Sequence, residues 1–359
     1  MTTNNSFLVA AMVEKAAVQF GKGNASITLL GNGLINRTYR VETPSSPPVV
    51  LQCINQSVFP QPENVVKNYR LLQDYLSQTG RQHIAPLVKT IHGADYWIDP
   101  KGNFWRATAF MENAHSITIP SGTNEVFTAA RSFASFTQSL SGLPASKMNI
   151  IIPAFHDLAY RYQQFEETVR NAHINRLLKA THVISEIRDR VWLVDFYKTV
   201  AADENDYPTR IMHHDCKISN ILFDTTTNAV ICPVDLDTVM PGKYFSDIGD
   251  MIRTMACTEE ENSVSWETID VKPDYYVNII NGYLEGIGKD LTVAEKQHIH
   301  QPGLLLTYMQ CIRFVTDFLN NDTYYQTTYP EQNLNRALNQ LILLEKLEAF
   351  IEKIRATQP

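Results

Sequence analysis

No block of lysines and arginines occurs in the 359 residues, and the formal net charge is −7 at pH 7. A nucleic-acid binder must neutralise phosphates, so this balance excludes nucleic acid as the main partner. Cysteine is sparse: Cys53, Cys216, Cys232, Cys257 and Cys311 are odd in number and never spaced as C-x-x-C. That argues against disulfides and a zinc ribbon, and predicts buried thiols in a reducing compartment. No apolar run approaches the ~20 residues of a membrane span. The one apolar patch near the start, Phe7 to Val13, is interrupted by Glu14. We therefore expect no signal peptide, no membrane partner and a cytoplasmic chain. Repeats and low-complexity tracts are also missing, which excludes a solenoid. What is present is ordinary: 44% hydrophobic and 19% charged residues, in a chain longer than a typical single core, so two lobes are expected.

The first lobe, residues 1–112, reads as an antiparallel sheet with helical cover. Residues 7–20 are Ala-rich with helical spacing of apolar groups. Strand patterns follow at Ile27 to Leu30 and Thr38 to Val41, separated by a turn holding Gly31 and Gly33. A glycine-bearing turn lets backbone amides approach an anion, although two glycines alone favour a plain hairpin turn. Pro44 to Pro48 reads as loop and Val49 to Ile54 as a third strand. Val65, Val66, Tyr69, Leu72 and Leu76 follow helical spacing behind Pro62. Strands are then expected at 87–92, 95–98 and 104–111. Three strands, a helix and a further hairpin do not alternate as βαβ units, which argues against a dinucleotide-binding fold.

The second lobe, residues 113–359, reads as mainly helical, with helices expected over 126–140, 155–172, 184–200, 275–284, 293–300, 304–319 and 334–354. In Phe155-His156-Asp157 we read Asp157 as a helix cap rather than a catalytic partner of His156. The exception to the helical pattern is His213-His214-Asp215-Cys216-Lys217-Ile218-Ser219-Asn220, which runs into the apolar Ile221-Leu222-Phe223. Val230 to Val234 then ends on Asp235-Leu236-Asp237.

Carboxylates beside apolar strands are costly unless a cation or a reaction needs them. Asp215 suits proton abstraction, and Asn220 is a neutral oxygen ligand on the same tight loop. Asp235 can supply a carboxylate to a hard cation such as Mg²⁺, which binds through one or two carboxylates plus substrate phosphates. Lys217 would neutralise a transferring phosphoryl group. Asp215 or Asn220 alone would read as turn and cap residues. A zinc site is the competing chemistry, but His213 and His214 are adjacent, and neighbouring residues on a strand face opposite ways.

Asp215-x-Lys217-x-x-Asn220 resembles the catalytic loop of protein-kinase-like phosphotransferases, with Asp235 at the position of their metal-binding aspartate. The small-molecule branch, the aminoglycoside-phosphotransferase-like family, is the better match. Asp235, Pro241-Gly242 and Asp247 follow its pattern, and no A-P-E-like segment follows. Within it the chain is similar to the N-acetylhexosamine 1-kinases. The likeness runs through Gly31 to Asn36 with Thr38-Tyr39, Asn55 to Pro60, Phe155 to Asp157, residues 235–250, Arg313-Phe314, Asp322 to Tyr324 and Tyr329 to Glu331.

The resemblance implies an α+β, bilobal protein-kinase-like fold with a small antiparallel-sheet N-lobe and a mainly helical C-lobe. It implies ATP as donor with Mg²⁺, and transfer to the anomeric hydroxyl of N-acetylglucosamine or N-acetylgalactosamine. Asp215 would take the proton, Asn220 and Asp235 would hold the metal, and Arg313 and Tyr324 would contact the amino sugar. The Gly31–Asn36 turn, with Thr38, would cover the phosphates, and the hinge from Ala109 through Met111 to Asn113 would meet adenine. Without the resemblance, Arg313 reads as a surface salt bridge and Tyr324 as packing. One departure stands out: Gln52, counted among the nucleotide-binding positions, occupies the place of the strand-three lysine of kinases, and Lys217 and backbone amides are the candidates for the grip on the α- and β-phosphates. Homoserine, choline or aminoglycoside kinases share the chemistry, and a non-catalytic kinase-shaped module is the alternative of another class. Monomer and dimer are not distinguished.

Overall fold

The structure, a computed structural model, describes residues 2–31, 35–80 and 84–357. Helix α1 (Thr2–Gln19) leads into strands β1 (Ser26–Leu29), β2 (Arg37–Thr43) and β3 (Ser46–Ile54). Helix α2 (Pro62–Thr79) follows, then β4 (Leu87–Val88), β5 (Trp97–Ile98), β6 (Phe104–Ala109) and β7 (Ala114–Ser116). β1 to β6 form an antiparallel sheet in the order β1-β2-β3-β6-β4, with β5 also on β6. Strand β3 starts earlier than the prolines suggest: the turn is confined to residues 44–45, and Pro47 and Pro48 already lie in the strand. Proline cannot donate to a ladder, and Pro48 contributes its carbonyl instead, accepting from the Phe110 N–H at 3.1 Å.

Alternation along β3 and β6 decides what each face meets. Val49, Leu51, Trp105 and Ala107 cluster with Val13, Ala16 and Ala17 of α1 and with Phe20 just beyond it. Gln52 and Arg106, directly opposite in the register, therefore point to the other face. There the Arg106 guanidinium lies 5.5 Å from the Tyr69 ring of α2.

Beyond residue 116 the chain runs through α3 (Thr123–Ser139), α4 (Leu158–Asn171), α5 (Ile174–Asp189) and α6 (Trp192–Ala202). It continues through β8 (Arg210–Met212), β9 (Ile221–Asp224), β10 (Val230–Pro233) and β11 (Met240–Gly242), with 3-10 turns at Ile218–Asn220 and Leu236–Thr238. Helices α7 (Phe245–Met255), α8 (Pro273–Ile287), α9 (Val293–Gln297), α10 (Gln301–Leu319) and α11 (Gln332–Thr357) complete it. Two expectations change here. The segment 184–200 is the end of α5 and most of α6, because the Arg190 and Val191 amides tighten onto the Ile187 and Arg188 carbonyls and end the first helix. Helix α4 starts at Leu158 because Asp157 caps it, accepting from the Tyr160 N–H at 3.0 Å.

The chain divides into two compact units. One comprises Met1–His115, Gly142–Pro153 and Leu222–Met240; the other comprises Ser116–Ser141, Ala154–Ile221 and Pro241–Pro359. In the second, α10 is buried along its length except at Gln310, Arg313 and Thr316, whose three-residue spacing puts them on one stripe. Helix α8 lies directly against α3: a methyl group on Gly282 or Gly286 would fall well inside van der Waals contact of the Phe127 or Arg131 carbonyl oxygen. Gly282→Val should therefore cost about 1–3 kcal/mol or more through overpacking. A shift in the urea midpoint measures it, and an unchanged midpoint would contradict the close approach.

Candidate active site

Strand β8 delivers the chain into the loop His213 to Lys217, whose amides are held by carboxylates of α7. Asp247 accepts the His213 N–H at 3.0 Å and the His214 N–H at 2.8 Å, one on each oxygen. Asp250, one turn on, accepts the Cys216 N–H at 2.8 Å and is itself held by Arg253 at 2.8 Å. His214 adopts a left-handed backbone with φ 67°, and its ring packs so closely on Gly242 that a side chain there would collide with it. The two histidines are scaffolding. The His213 ring sits edge-on to Phe133 at 5.0 Å. His214 Nδ1 lies 2.5 Å from Ser246 Oγ, which also bonds His156. Burial, then the neighbouring His214, holds His156 well below the ordinary histidine value, so it is neutral near pH 7.

This brace presents Asp215, Lys217 and Asn220 together. Lys217 Nζ is 3.0 Å from Asp215 Oδ2. Asn220 Nδ2 donates to the Asp215 carbonyl at 2.9 Å and to Oδ2 at 2.8 Å. With its nitrogen so committed, the Asn220 amide has only Oδ1 to offer as a metal ligand. Burial would raise the Asp215 carboxyl, but Lys217, His213 and the bonds from Lys217 and Asn220 outweigh it and hold it below the ordinary value. Asp250 goes the other way: burial, only partly countered by Arg253, and then the Asp215 charge push it up. Of the two, Asp215 is the carboxylate whose ionised form the surroundings favour.

Arg313 and Tyr324 also come together in this unit. The Arg313 guanidinium lies 5.2 Å from the Phe155 ring, 5.6 Å from Tyr325 and 6.0 Å from Tyr324. It makes no ion pair among the described residues, so the surface salt-bridge reading fails. Phe155 stacks on His156 at 4.4 Å, which links the cluster through Ser246 to His214 and the loop that carries Asp215. Asp317 pins the tyrosine loop by accepting the Tyr324 and Tyr325 amides at 2.8 and 2.9 Å.

The other unit carries the remaining candidates. Asp235 sits at the start of the 3-10 turn in a left-handed conformation, φ 58°, a state uncommon outside glycine and frequent at functional sites. Gln52 Nε2 donates to Thr38 Oγ1 at 3.2 Å, and Gln52 Oε1 accepts from Arg106 Nε at 3.0 Å and Nη2 at 2.7 Å. Arg106 is ion-paired with Asp237, each side chain 2% exposed. Asn36 donates to Asp237 at 2.7 Å and accepts the Asn55 amide at 2.9 Å. Gly31 is left-handed at φ 69°; Gly33 lies outside the described residues. The Ala109 N–H donates to the Pro86 carbonyl at 2.8 Å, and Met111 is half-buried just beyond β6.

Arg106 and the bracing role of Asp250 escape a reading of the sequence. One signal for Arg106 was available: a lone arginine between Trp105 and Ala107, inside an apolar strand, must have a partner.

Comparison with known proteins bears on the fold and the family. The chain resembles the structure of a microcompartment-associated aminopropanol kinase (16% identity, TM-score 0.64, 96% of this chain and 98% of that one). It also resembles an aminoglycoside phosphotransferase from Alicyclobacillus acidocaldarius (13%, 0.64, 94% and 95%) and amicoumacin kinase in complex with AMP-PNP and Ca²⁺ (13%, 0.61, 93% and 92%). At such identities the likeness is one of fold, and it bears out the expected α+β, bilobal kinase-like architecture. A model of the phosphotransferase enzyme family, APH, matches residues 26–287, most of the chain. The protein belongs to that phosphotransferase family.

Proposed function

We propose that the chain is an ATP- and Mg²⁺-dependent kinase of N-acetylhexosamines, transferring phosphate in line to the anomeric hydroxyl of N-acetylglucosamine or N-acetylgalactosamine. The observation that carries the chemistry is the braced Asp215, ionised and bonded by Lys217 and Asn220. Asp215 accepts the proton of the sugar hydroxyl as the oxygen attacks. Lys217 is positioned to balance charge on the moving phosphoryl group. Asn220 and Asp235 are assigned to the metal, each being a hard oxygen donor of the kind that Mg²⁺ takes. When bound, the metal would neutralise the phosphate oxygens. The Gly31–Asn36 turn and the Ala109–Met111 segment are assigned to the nucleotide.

The acceptor class rests on the Arg313 cluster. Aromatic faces suit the apolar face of a sugar, and a guanidinium suits hydroxyl and acetamide oxygens. Arg313 over those rings also disfavours a cationic acceptor such as choline or an aminoglycoside, whose site would want carboxylates or an uncharged aromatic cage. ADP release across N-acetylglucosamine, N-acetylgalactosamine, galactose, homoserine, choline and kanamycin, with and without Mg²⁺, tests the reading. Turnover only with a non-sugar sinks the acceptor assignment, and none with any acceptor favours a non-catalytic module. Arg313→Leu should raise the sugar KM about 10–100-fold, the worth of a charged hydrogen bond, with the ATP KM within about twofold. Equal effects on both KM values would remove Arg313 from the sugar site.

A further inference from the structure

Arg106 is a charged side chain in the middle of the sheet, 2% exposed, paired with an equally buried Asp237. A buried ion pair is weak evidence for stability, since apolar residues of similar volume usually serve as well. Arg106 Nη1, moreover, has no hydrogen-bond partner. What the pair does accomplish is directional. Two donors, Nε and Nη2, converge on Gln52 Oε1. An amide whose oxygen is held from behind must turn its NH₂ forward, and Gln52 Nε2 does so, toward Thr38 Oγ1. Gln52 and Thr38 are the half-buried members of the network, whereas Arg106, Asp237 and Asn36 are buried. On this face of β2 and β3 the half-buried group is therefore the Gln52 NH₂, with a guanidinium behind it. Asp237 stands two residues past Asp235 and is held a second time by Asn36 of the glycine turn. The same carboxylate thus anchors Arg106, the turn and the segment carrying Asp235.

We propose that Gln52 is the donor this unit presents to the α- and β-phosphates of the nucleotide, and that the Arg106–Asp237 pair positions it. This rests on the nucleotide-binding reading above. The cation is displaced from β3 to the facing position on β6. It acts through the amide, polarising its N–H groups, and Asp237 balances its charge. Arg106 and Asp237 are positioning residues; Gln52 touches the ligand.

Calorimetric titration of the full chain with ADP·Mg²⁺ and, separately, with adenosine tests this, because only ADP carries the phosphates. Gln52→Leu should weaken ADP about 10-fold or more and leave adenosine within about twofold. Removing Arg106 alone would strand Asp237 and could unfold the unit, so the informative variant is Arg106→Met with Asp237→Leu. It should keep its thermal midpoint near that of the parent and lose the same preference for ADP over adenosine. An ADP-to-adenosine affinity ratio unchanged in both variants, including parallel losses for the two ligands, overturns the proposal and leaves the function standing. A parent chain that binds neither ligand overturns the nucleotide reading itself.

Discussion

Asp215→Asn should lower kcat by about 10²–10⁴-fold and leave ADP affinity unchanged. The substitution is nearly isosteric, and an asparagine oxygen can still accept from Asn220, whose amide lies 2.8 Å from the carboxylate. What disappears is the proton acceptor and the charge facing Lys217. Near-normal turnover in that variant, by ADP release with the best acceptor, would rule out the base assignment. The parent's pH profile supplies an independent check. The folded Asp215 carboxyl is held below its ordinary value, so the ionised form is favoured in the native state. Its contribution to stability is then full above the unfolded value, near 4, and is lost as pH falls through the lower folded value. The acid limb of kcat/KM should accordingly lie below the usual carboxylate range. A limb near pH 6 would point to another base.

Asp247→Ala should be the most destabilising single change at the site. The carboxylate is 1% exposed and accepts two backbone amides, from His213 and His214. Alanine leaves both donors buried without acceptors, at about 1–3 kcal/mol each, and removes an acid from the first turn of α7, where it favours the helix dipole. Turnover should fall with it, since Asp215 follows directly on these two amides. Asp247→Asn, which retains one acceptor, should lose roughly half as much. Chemical denaturation measures both, and an alanine variant within about 0.5 kcal/mol of the parent would show that the brace is dispensable.

The loop proposed as catalytic stood out because its polar residues are nearly consecutive. Asp215, Lys217 and Asn220 lie on one short stretch, so the motif shows before the α7 carboxylates that brace it are known. The sheet was legible for a similar reason, since period-two alternation and turn residues are local. Boundaries failed where a distant partner overrode the local pattern. Pro47 and Pro48 read as loop until Phe110, just past β6, supplies a neighbour that asks Pro48 only for its carbonyl. The break between α5 and α6 has no proline or glycine to announce it, and Arg190 there is held by Glu186 and Glu348.

The sequence by itself determined the class of fold and the class of reaction: periodicity sets which elements form, and a short motif sets which groups stand side by side. Only the tertiary structure decided what those groups meet. Asp247 could have been a turn residue until α7 is laid against the loop. Arg313 could have been a surface cation until Phe155, Tyr324 and Tyr325 close around it. Gln52 could have been a defect in a phosphate site until the β3–β6 register sets Arg106 opposite it. A side chain's donors and charge are written in its own covalent structure, whereas its partners depend on strand order and helix packing between segments far apart in the chain.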